Sequence, residues 1–356
     1  MKAAFFYGGE DIRLADVPDP VPGPGEALVR VKAAGICGSD LHGYRDPRRI
    51  WPGLGIPYMT GHELAGEIAA LGPDVSDLIV GQRVCVEPRH LVGCGRCRWC
   101  RRGDYHLCPD LGTEKGKKVY STGFAEYSLE PANKLYPLPD HVPEAEATLL
   151  DVYSCAVHAL HLARINISQT IVVVGAGPIG LTALEIFKIS GVAQVIVCDI
   201  NDHSLETASR LGADHVINSH GADSVEAVRD MTHGNGADLV IEAVGGTAPT
   251  FSSDIKMAGR GGTVLVMGSY GGPQSINPDD VQVKEICVRW SWSYALWEGV
   301  SEYQICLNLL ATGKLKAKEY ITHTFPLDKI LEAFATADNK KQSNAMKVII
   351  QPQAAT

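Results

Sequence analysis

The sequence predicts an α/β plus β fold, in which a doubly wound parallel sheet joins a barrel-like β domain. Three observations predict it. From Thr170 onward, short apolar strands alternate with helical stretches. The first of these strands runs directly into Gly175-Ala-Gly177-Pro-Ile-Gly180, which opens a helix. The first 87 residues carry apolar strands punctuated by Gly and Pro. At roughly 100–200 residues per domain, a chain of 356 residues has room for two cores.

The elements follow in order. Residues 27–33 (ALVRVKA) form an apolar strand after a Pro/Gly-rich turn over 18–25. Residues 64–87 supply two more, LAGEIAALG and GQRVCVEP, and together these suggest a barrel. Residues 88–120 are rich in Cys, Gly, Arg and Lys and have little periodicity, so they read as a long loop. A loop of that length needs something to hold it. A strand resumes at 123–127 (GFAEY), and 143–164 read as helical. Then come strand 171–174, the helix LTALEIFKIS, strand 195–199, a helix to Leu211, and strand HVIN. A helix near 223–232, strand DLVIEAVG, a helix near 248–257 and strand TVLVMG complete the series, which ends near Arg289. Such alternation implies a parallel sheet covered on both faces. The tail has two helices, EYQICLNLLATGK and LDKILEAFATA, and a last strand, AMKVIIQ. There is no internal repeat.

Composition excludes several classes. Hydrophobic residues at 45% and charged residues at 21% describe an ordinary globular chain rather than a disordered one. A net charge of −9 offers no basic patch for phosphates, so no nucleic-acid partner is expected. No apolar run reaches the roughly 18 residues of a membrane span. The opening MKAAFFYGGEDIRL lacks the apolar core of a signal peptide, so a cytoplasmic location is expected.

The glycine pattern gains weight from its place between a strand and a helix. The first Gly allows the tight turn, the second lets the backbone approach a pyrophosphate, and the third permits close helix–strand packing. The helix N-terminus, with Pro178 and Ile179 in its first turn, offers free N–H groups to the phosphates. Asp199 ends the next strand 19 residues after Gly180, where a carboxylate accepts from adenosine ribose hydroxyls. An acid there repels a 2′-phosphate, and Ile200-Asn201-Asp202 supplies no Arg to receive one. NAD is therefore expected rather than NADP.

Four of the ten cysteines fall at Cys94, Cys97, Cys100 and Cys108. In a reducing compartment such a cluster binds metal more often than it forms disulfides. Four thiolates close a zinc tetrahedron, which makes this a structural site. The surrounding Arg96, Arg98, Arg101, Arg102, Lys115, Lys117 and Lys118 offset its excess negative charge. An iron–sulfur cluster is the rival, but its bacterial run ends C-x3-C-P, whereas this one ends C-x7-C.

A second constellation lies in residues 35–63, GICGSDLH followed by a loop and GHE. A catalytic zinc needs three protein ligands and one open position. Cys37 and His62 are candidate ligands, and Glu63 either joins them or supports them from outside. The remaining ligand must come from elsewhere, and Asp151 in TLLDVYS is the candidate.

With these motifs in view, the chain resembles the zinc-dependent medium-chain alcohol dehydrogenases over nearly its whole length. GICGSDLH, GHE, the four-cysteine lobe, GFAEY and GAGPIG carry the resemblance. The general pattern for that family is a Cys2His zinc. With Asp151 in the third place, this chain is similar to the sorbitol, threonine and butanediol dehydrogenase branch. Direct and water-mediated ligation by Asp151 both fit.

The resemblance implies a GroES-like catalytic domain over 1–152, with the zinc lobe at 88–120. It also implies a Rossmann NAD-binding domain over 153–290 and a return segment over 291–356 that completes the first domain, with the active site in the cleft between them. Zinc acidifies a secondary alcohol, Ser39 takes its proton, and His42 passes it towards solvent through the cofactor ribose. NAD takes the hydride, and Glu63 ligates zinc when substrate is absent. Two zincs per chain and a homodimer or homotetramer follow from the same likeness. A polyol, cyclitol or sugar alcohol is the expected substrate. Threonine or another amino alcohol is the alternative, and a zinc-free quinone or enoyl reductase or a non-enzymatic dinucleotide binder are more distant rivals.

Other residues have plainer readings. His158 and His161, one helical turn apart, suit helix packing better than a metal. Cys85, Cys155, Cys198, Cys287 and Cys306 read as buried small hydrophobes. Trp290, Trp292, Tyr294 and Trp297 suit a core, a pocket or a subunit contact equally. Tyr44, Arg45 and Trp51 are candidate pocket residues, and the charged run 45–49 reads as a solvated face.

Overall fold

A parallel sheet of six strands forms the second half of the protein, and its order is decided by where the glycine-loop strand sits. In this computed structural model, which describes residues 1–46, 55–114 and 117–352, that strand is Thr170–Val174. It lies between Gln194–Asp199 and Ala237–Glu242, with His215–Asn218 beyond the first and Ala258–Val266 and Cys287–Trp290 beyond the second. In chain order this is 3-2-1-4-5-6, all parallel. The expected doubly wound sheet is borne out. Val172, Ile196, Val240 and Val264 are fully buried and pack with Ile255 and Phe251 of helix Phe251–Met257, because a parallel sheet with both faces covered needs apolar side chains on both.

The β domain is built around strand Glu26–Gly35. It pairs with Glu63–Leu71 on one edge and with Lys347–Gln351 at its far end, and Tyr127–Pro131 also joins it. Arg83–Val86, Leu135–Pro137 and Ile321–Pro326 complete seven strands. Val29, Val31, Ile68, Val84, Phe6 and Phe124 fill its interior, closed by Phe334 of helix Ile330–Asp338. The chain forms two compact units, Met1–Asp151 with Glu298–Thr356 and Val152–Trp297. Residues 291–297 thus stay with the second unit.

Several elements differ from expectation. Residues 38–45 form a helix, Gly38–Arg45, where the sequence suggested no regular element. The 123–127 strand begins only at Tyr127, because Gly123 donates to Gly61 and Ala125 makes an isolated bridge to Ala3. The helical stretch 143–164 is two helices, Glu144–Ala147 and Leu150–Ala163. The loop 88–120 contains a short helix, Arg98–Arg101, between its cysteines. Cys85, Cys198 and Cys306 are buried as expected, but Cys155 is only half-buried and Cys287 is exposed. Cys287 opens the outermost strand of the parallel sheet, where one edge has no neighbouring strand among the described residues. Trp290 and Trp292 are also exposed while Tyr294 is buried, so these aromatics do not form one core. His161 lies flat on Trp297, with ring centres 4.9 Å apart. Arg48, Arg49, Trp51 and Lys115 lie outside the described residues. No helix among the described residues is long and apolar enough to cross a membrane.

Candidate active site

Cys37 sits at the N-cap of helix Gly38–Arg45. Three residues on, Asp40 turns back, and its Oδ2 accepts the Cys37 N–H at 3.0 Å. This is half of a capping box, and it fixes where the thiol begins. The other oxygen, Oδ1, accepts from Thr60 Oγ1 at 2.9 Å and faces His62 Nδ1 at 3.8 Å. The opposite nitrogen, His62 Nε2, stands 3.9 Å from Asp151 Oδ2. Asp40 and His62 are both buried.

A ligand atom from each of Cys37, His62 and Glu63 lies within 4.8 Å of the others. At about 2.0–2.3 Å per bond, ligand atoms around one tetrahedral zinc stand roughly 3.3–3.8 Å apart, so the cluster needs little movement to close on an ion. The charges agree. Burial alone would push the His62 imidazole down, but Asp40, Cys37 and Asp151 outweigh it and hold its pKa well above the ordinary value. A buried spot that favours a cation this strongly suits a metal ion. Burial pushes the Asp40 carboxyl up, while His62, the Cys37 N–H and Thr60 oppose that.

Ser39 and His42 follow on the same helix, three residues apart and so on one face. The Ser39 hydroxyl oxygen is buried and has no hydrogen-bond partner among the described residues. An orphaned hydroxyl is rare in a folded interior, and here it is free to meet a ligand.

Glu63 has a partner that sequence reading missed. Lys347 Nζ donates to Glu63 Oε1 at 2.8 Å and to Oε2 at 2.6 Å, with both side chains almost wholly buried. Burial lowers the lysine's pKa, but Glu63, Cys37 and Asp151 raise it further. Its signal in the sequence was a lysine inside an apolar strand. Asp40 was also missed, and its signal was the capping-box spacing after Cys37.

The four lobe cysteines bring their sulfurs together, again within 4.8 Å. Cys97 caps the short helix Arg98–Arg101, and its sulfur lies 3.5 Å from that of Cys100. Backbone N–H groups of Arg96 and Cys97 draw the Cys94 thiol down to about 6, which favours the thiolate a metal requires.

In the second unit, helix Pro178–Ile189 starts immediately after Gly177, with Pro in its first turn. A Cβ on Gly177 would meet nothing within 4 Å, so the backbone is open to an approaching phosphate. A Cβ on Gly180 would stand 1.8 Å from the Gly175 carbonyl oxygen, so only glycine fits there. Asp199 Oδ2 accepts the Ala176 N–H at 2.6 Å and Oδ1 accepts that of Asn201 at 2.8 Å. The carboxylate thus braces the glycine loop and keeps lone pairs for ribose hydroxyls. These residues fit a dinucleotide.

The family description "alcohol dehydrogenase GroES-like domain" matches residues 23–140, and "zinc-binding dehydrogenase" matches 178–312. This chain belongs to the zinc-type medium-chain alcohol dehydrogenase family. It is an oxidoreductase of that family, and its β domain is of the GroES-like type. Among its relatives, a sorbitol dehydrogenase of Bacillus subtilis is 33% identical over 99% of this chain and 97% of its own length. An L-threonine 3-dehydrogenase of Pyrococcus abyssi is 36% identical, covering 94% and 93%. A zinc-binding dehydrogenase structure from Sinorhizobium meliloti, bound to NADP, superposes with a TM-score of 0.87 at 28% identity, covering 99% of both chains. A structure from Escherichia coli described as a short chain alcohol dehydrogenase, complexed with NADH, does so with 0.87 at 29%, again covering 99% of both.

Proposed function

We propose that this dehydrogenase oxidises a secondary alcohol of the polyol, cyclitol or sugar-alcohol class to a ketone, with NAD as acceptor. The observation that carries the reading is the convergence of Cys37, His62 and Glu63, with Asp151 beside them, next to the unpartnered Ser39 hydroxyl. Cys37, His62 and Asp151 would hold the catalytic zinc, with Glu63 as a further ligand available to it. The four lobe cysteines would hold a structural zinc. Bound zinc supplies a Lewis acid that makes the substrate hydroxyl more acidic, and bound NAD supplies the hydride acceptor.

The chain's own residues do the rest. Asp40, facing Nδ1, keeps the His62 ring turned so that Nε2 is presented to the metal. Ser39 Oγ accepts the hydroxyl proton, and His42, one turn further along the helix, carries it towards solvent. The loop Gly175–Gly180 and the helix start behind it bind the pyrophosphate, and Asp199 accepts from the adenosine ribose. NAD is favoured over NADP because Asp199 would face a 2′-phosphate with like charge.

The polyol class is supported by the carboxylates in the metal site and by the likeness to a sorbitol dehydrogenase. The likeness to L-threonine 3-dehydrogenases favours a second reading, an amino alcohol. We further propose a cytoplasmic homodimer or homotetramer, with the return segment completing the catalytic domain. NADH formation across a panel of polyols, cyclitols, diols and threonine tests the substrate. Turnover of polyols or cyclitols with the highest kcat/KM supports the first reading, and preference for threonine replaces it with the second. No reduction of NAD by any member of the panel, in protein carrying zinc and binding cofactor, refutes both.

A further inference from the structure

Asp40 is not alone in bracing the candidate zinc ligand His62. The rings of His62 and His90 stand edge to face, with centres 5.4 Å apart and planes at 90°. His90 in turn stacks on Tyr120, again with 5.4 Å between centres and with planes 26° apart. These two rings come from opposite ends of the lobe. His90 sits in the short turn Arg89–Leu91, and Tyr120 ends the lobe some thirty residues later. Their stacking requires that the two backbones be held side by side.

One hydroxyl holds them. Ser121 follows Tyr120, and its Oγ accepts the N–H of Arg89, the residue before His90, at 2.9 Å. The same hydroxyl donates its own proton to Glu130 Oε2 at 3.0 Å. Ser128 repeats the pattern one residue along, since its Oγ accepts the Thr122 N–H at 2.9 Å and donates to Glu130 Oε1 at 2.5 Å. Ser128 and Glu130 lie two apart on strand Tyr127–Pro131, so they share one face, and neither has exposed surface. The Arg89 guanidinium adds a second tie to this strand by donating to the Leu129 carbonyl at 2.8 Å, while Glu26 and Glu114 balance its charge.

The chemistry calls for a carboxylate at Glu130. Both serine oxygens already accept an N–H, so both protons need an acceptor, and a carboxylate offers two. Burial pushes the Glu130 carboxyl up to about 7, against the pull of Ser128, Ser121 and Arg89. An apolar residue would suit a buried strand position at less cost, but it would leave both hydroxyl protons without an acceptor.

We propose that Glu130 is a positioning residue for the catalytic site, which acts through the Ser121 hydroxyl to lock the turn bearing His90 to the segment bearing Tyr120, so that their stacked rings fix the His62 ring. Asp40 at Nδ1 leaves that ring free to pivot about one contact, and the stack removes this freedom. The proposal rests on the zinc reading of Cys37, His62 and Asp151, and adds a residue that tunes the site from the barrel strand.

The test uses full-length protein loaded with Co(II) at about pH 9, where the Glu130 carboxylate is ionised. The catalytic cobalt bands are read as a difference against Cys37→Ser, which removes the lobe's contribution. Ser121→Ala and Glu130→Gln should both shift these bands and lower kcat by about tenfold, the scale on which residues outside the ligand set move metal sites. Tyr120→Leu, which removes the stack but leaves Ser121 and Glu130 intact, should shift the bands in the same way. NAD affinity should stay within about twofold in all three, because the glycine loop belongs to the other compact unit. A loss of stability alone would leave the bands of the folded protein unchanged. Folded Ser121→Ala with wild-type bands and kcat overturns the proposal, and so does Tyr120→Leu with wild-type bands. If Ser121→Ala does not fold, Glu130→Gln, which keeps the shape of the side chain, decides by the same criterion. A wild-type protein with no cobalt bands dependent on Cys37 overturns the zinc reading itself, whereas Cys37-dependent bands that none of these substitutions moves overturn the proposal alone.

Discussion

Asp254 lies in the first turn of helix Phe251–Met257 with no exposed surface, and neither of its carboxyl oxygens has a partner among the described residues. Its neighbour is Glu242, at the end of strand Ala237–Glu242. Glu242 Oε1 accepts from the N–H groups of Val244 and Gly245, both at 2.9 Å, and from Thr250 Oγ1 at 3.0 Å. Burial first, and the Glu242 charge second, raise the Asp254 pKa from 3.8 to about 8. Between those two values the folded chain keeps a proton that the unfolded chain has released. The stabilisation from that proton is complete below about pH 4 and is lost as pH rises towards 8. Within the window the loss is about 1.4 kcal/mol per pH unit, and the whole window amounts to at most about 6 kcal/mol. Asp254→Asn removes the titration. Its unpaired amide adds a cost of roughly 1–3 kcal/mol that does not vary with pH. The diagnostic is therefore the slope. Urea unfolding followed by circular dichroism at pH 5, 6 and 7 should give a variant whose stability falls less steeply than wild type, by about 1.4 kcal/mol per pH unit. Parallel profiles for the two proteins would refute the reasoning, because they would mean that Asp254 is already ionised in the folded state.

Other outcomes follow from the sites. Cys37→Ser should lower alcohol oxidation by at least about 100-fold and reduce zinc to the lobe's share, because a hydroxyl is a poor substitute for a thiolate ligand. NAD affinity, measured by fluorescence titration, should stay within about threefold, because the glycine loop belongs to the other compact unit; a retained rate above a tenth of wild type would contradict the zinc assignment. Cys97→Ala should abolish one zinc per chain by metal analysis and lower the thermal midpoint, while a chain that keeps both zincs would show that the lobe is no metal site. Asp199→Ala should weaken NAD by about tenfold and narrow the preference over NADP, read from kcat/KM for each cofactor. Undiminished discrimination would place that preference elsewhere.

Legibility followed distance along the chain. The lobe's cysteines lie within 15 residues of one another, and the glycine loop occupies six consecutive positions, so spacing alone exposes both. Helix Gly38–Arg45 escaped notice because its two glycines and short length give weak helical preference, and its start depends on the Asp40 side chain turning back to Cys37. Cys287 was misread because its apolar neighbours suggest a core, whereas its place on the outermost strand exposes it.

The sequence by itself determined the family, the doubly wound sheet, and the residues whose chemistry is local, namely a strand–glycine–helix turn and a tight cluster of thiols. Their geometry is written in short-range spacing. Only the tertiary structure decided what surrounds the candidate catalytic metal. Lys347 stands 284 positions from Glu63, and the two meet because three strands align in register across a glycine. Asp254 and Glu242 likewise become neighbours only when helix Phe251–Met257 packs on its sheet. Strand register and packing set which charges share a buried space, and no local pattern of residues encodes that.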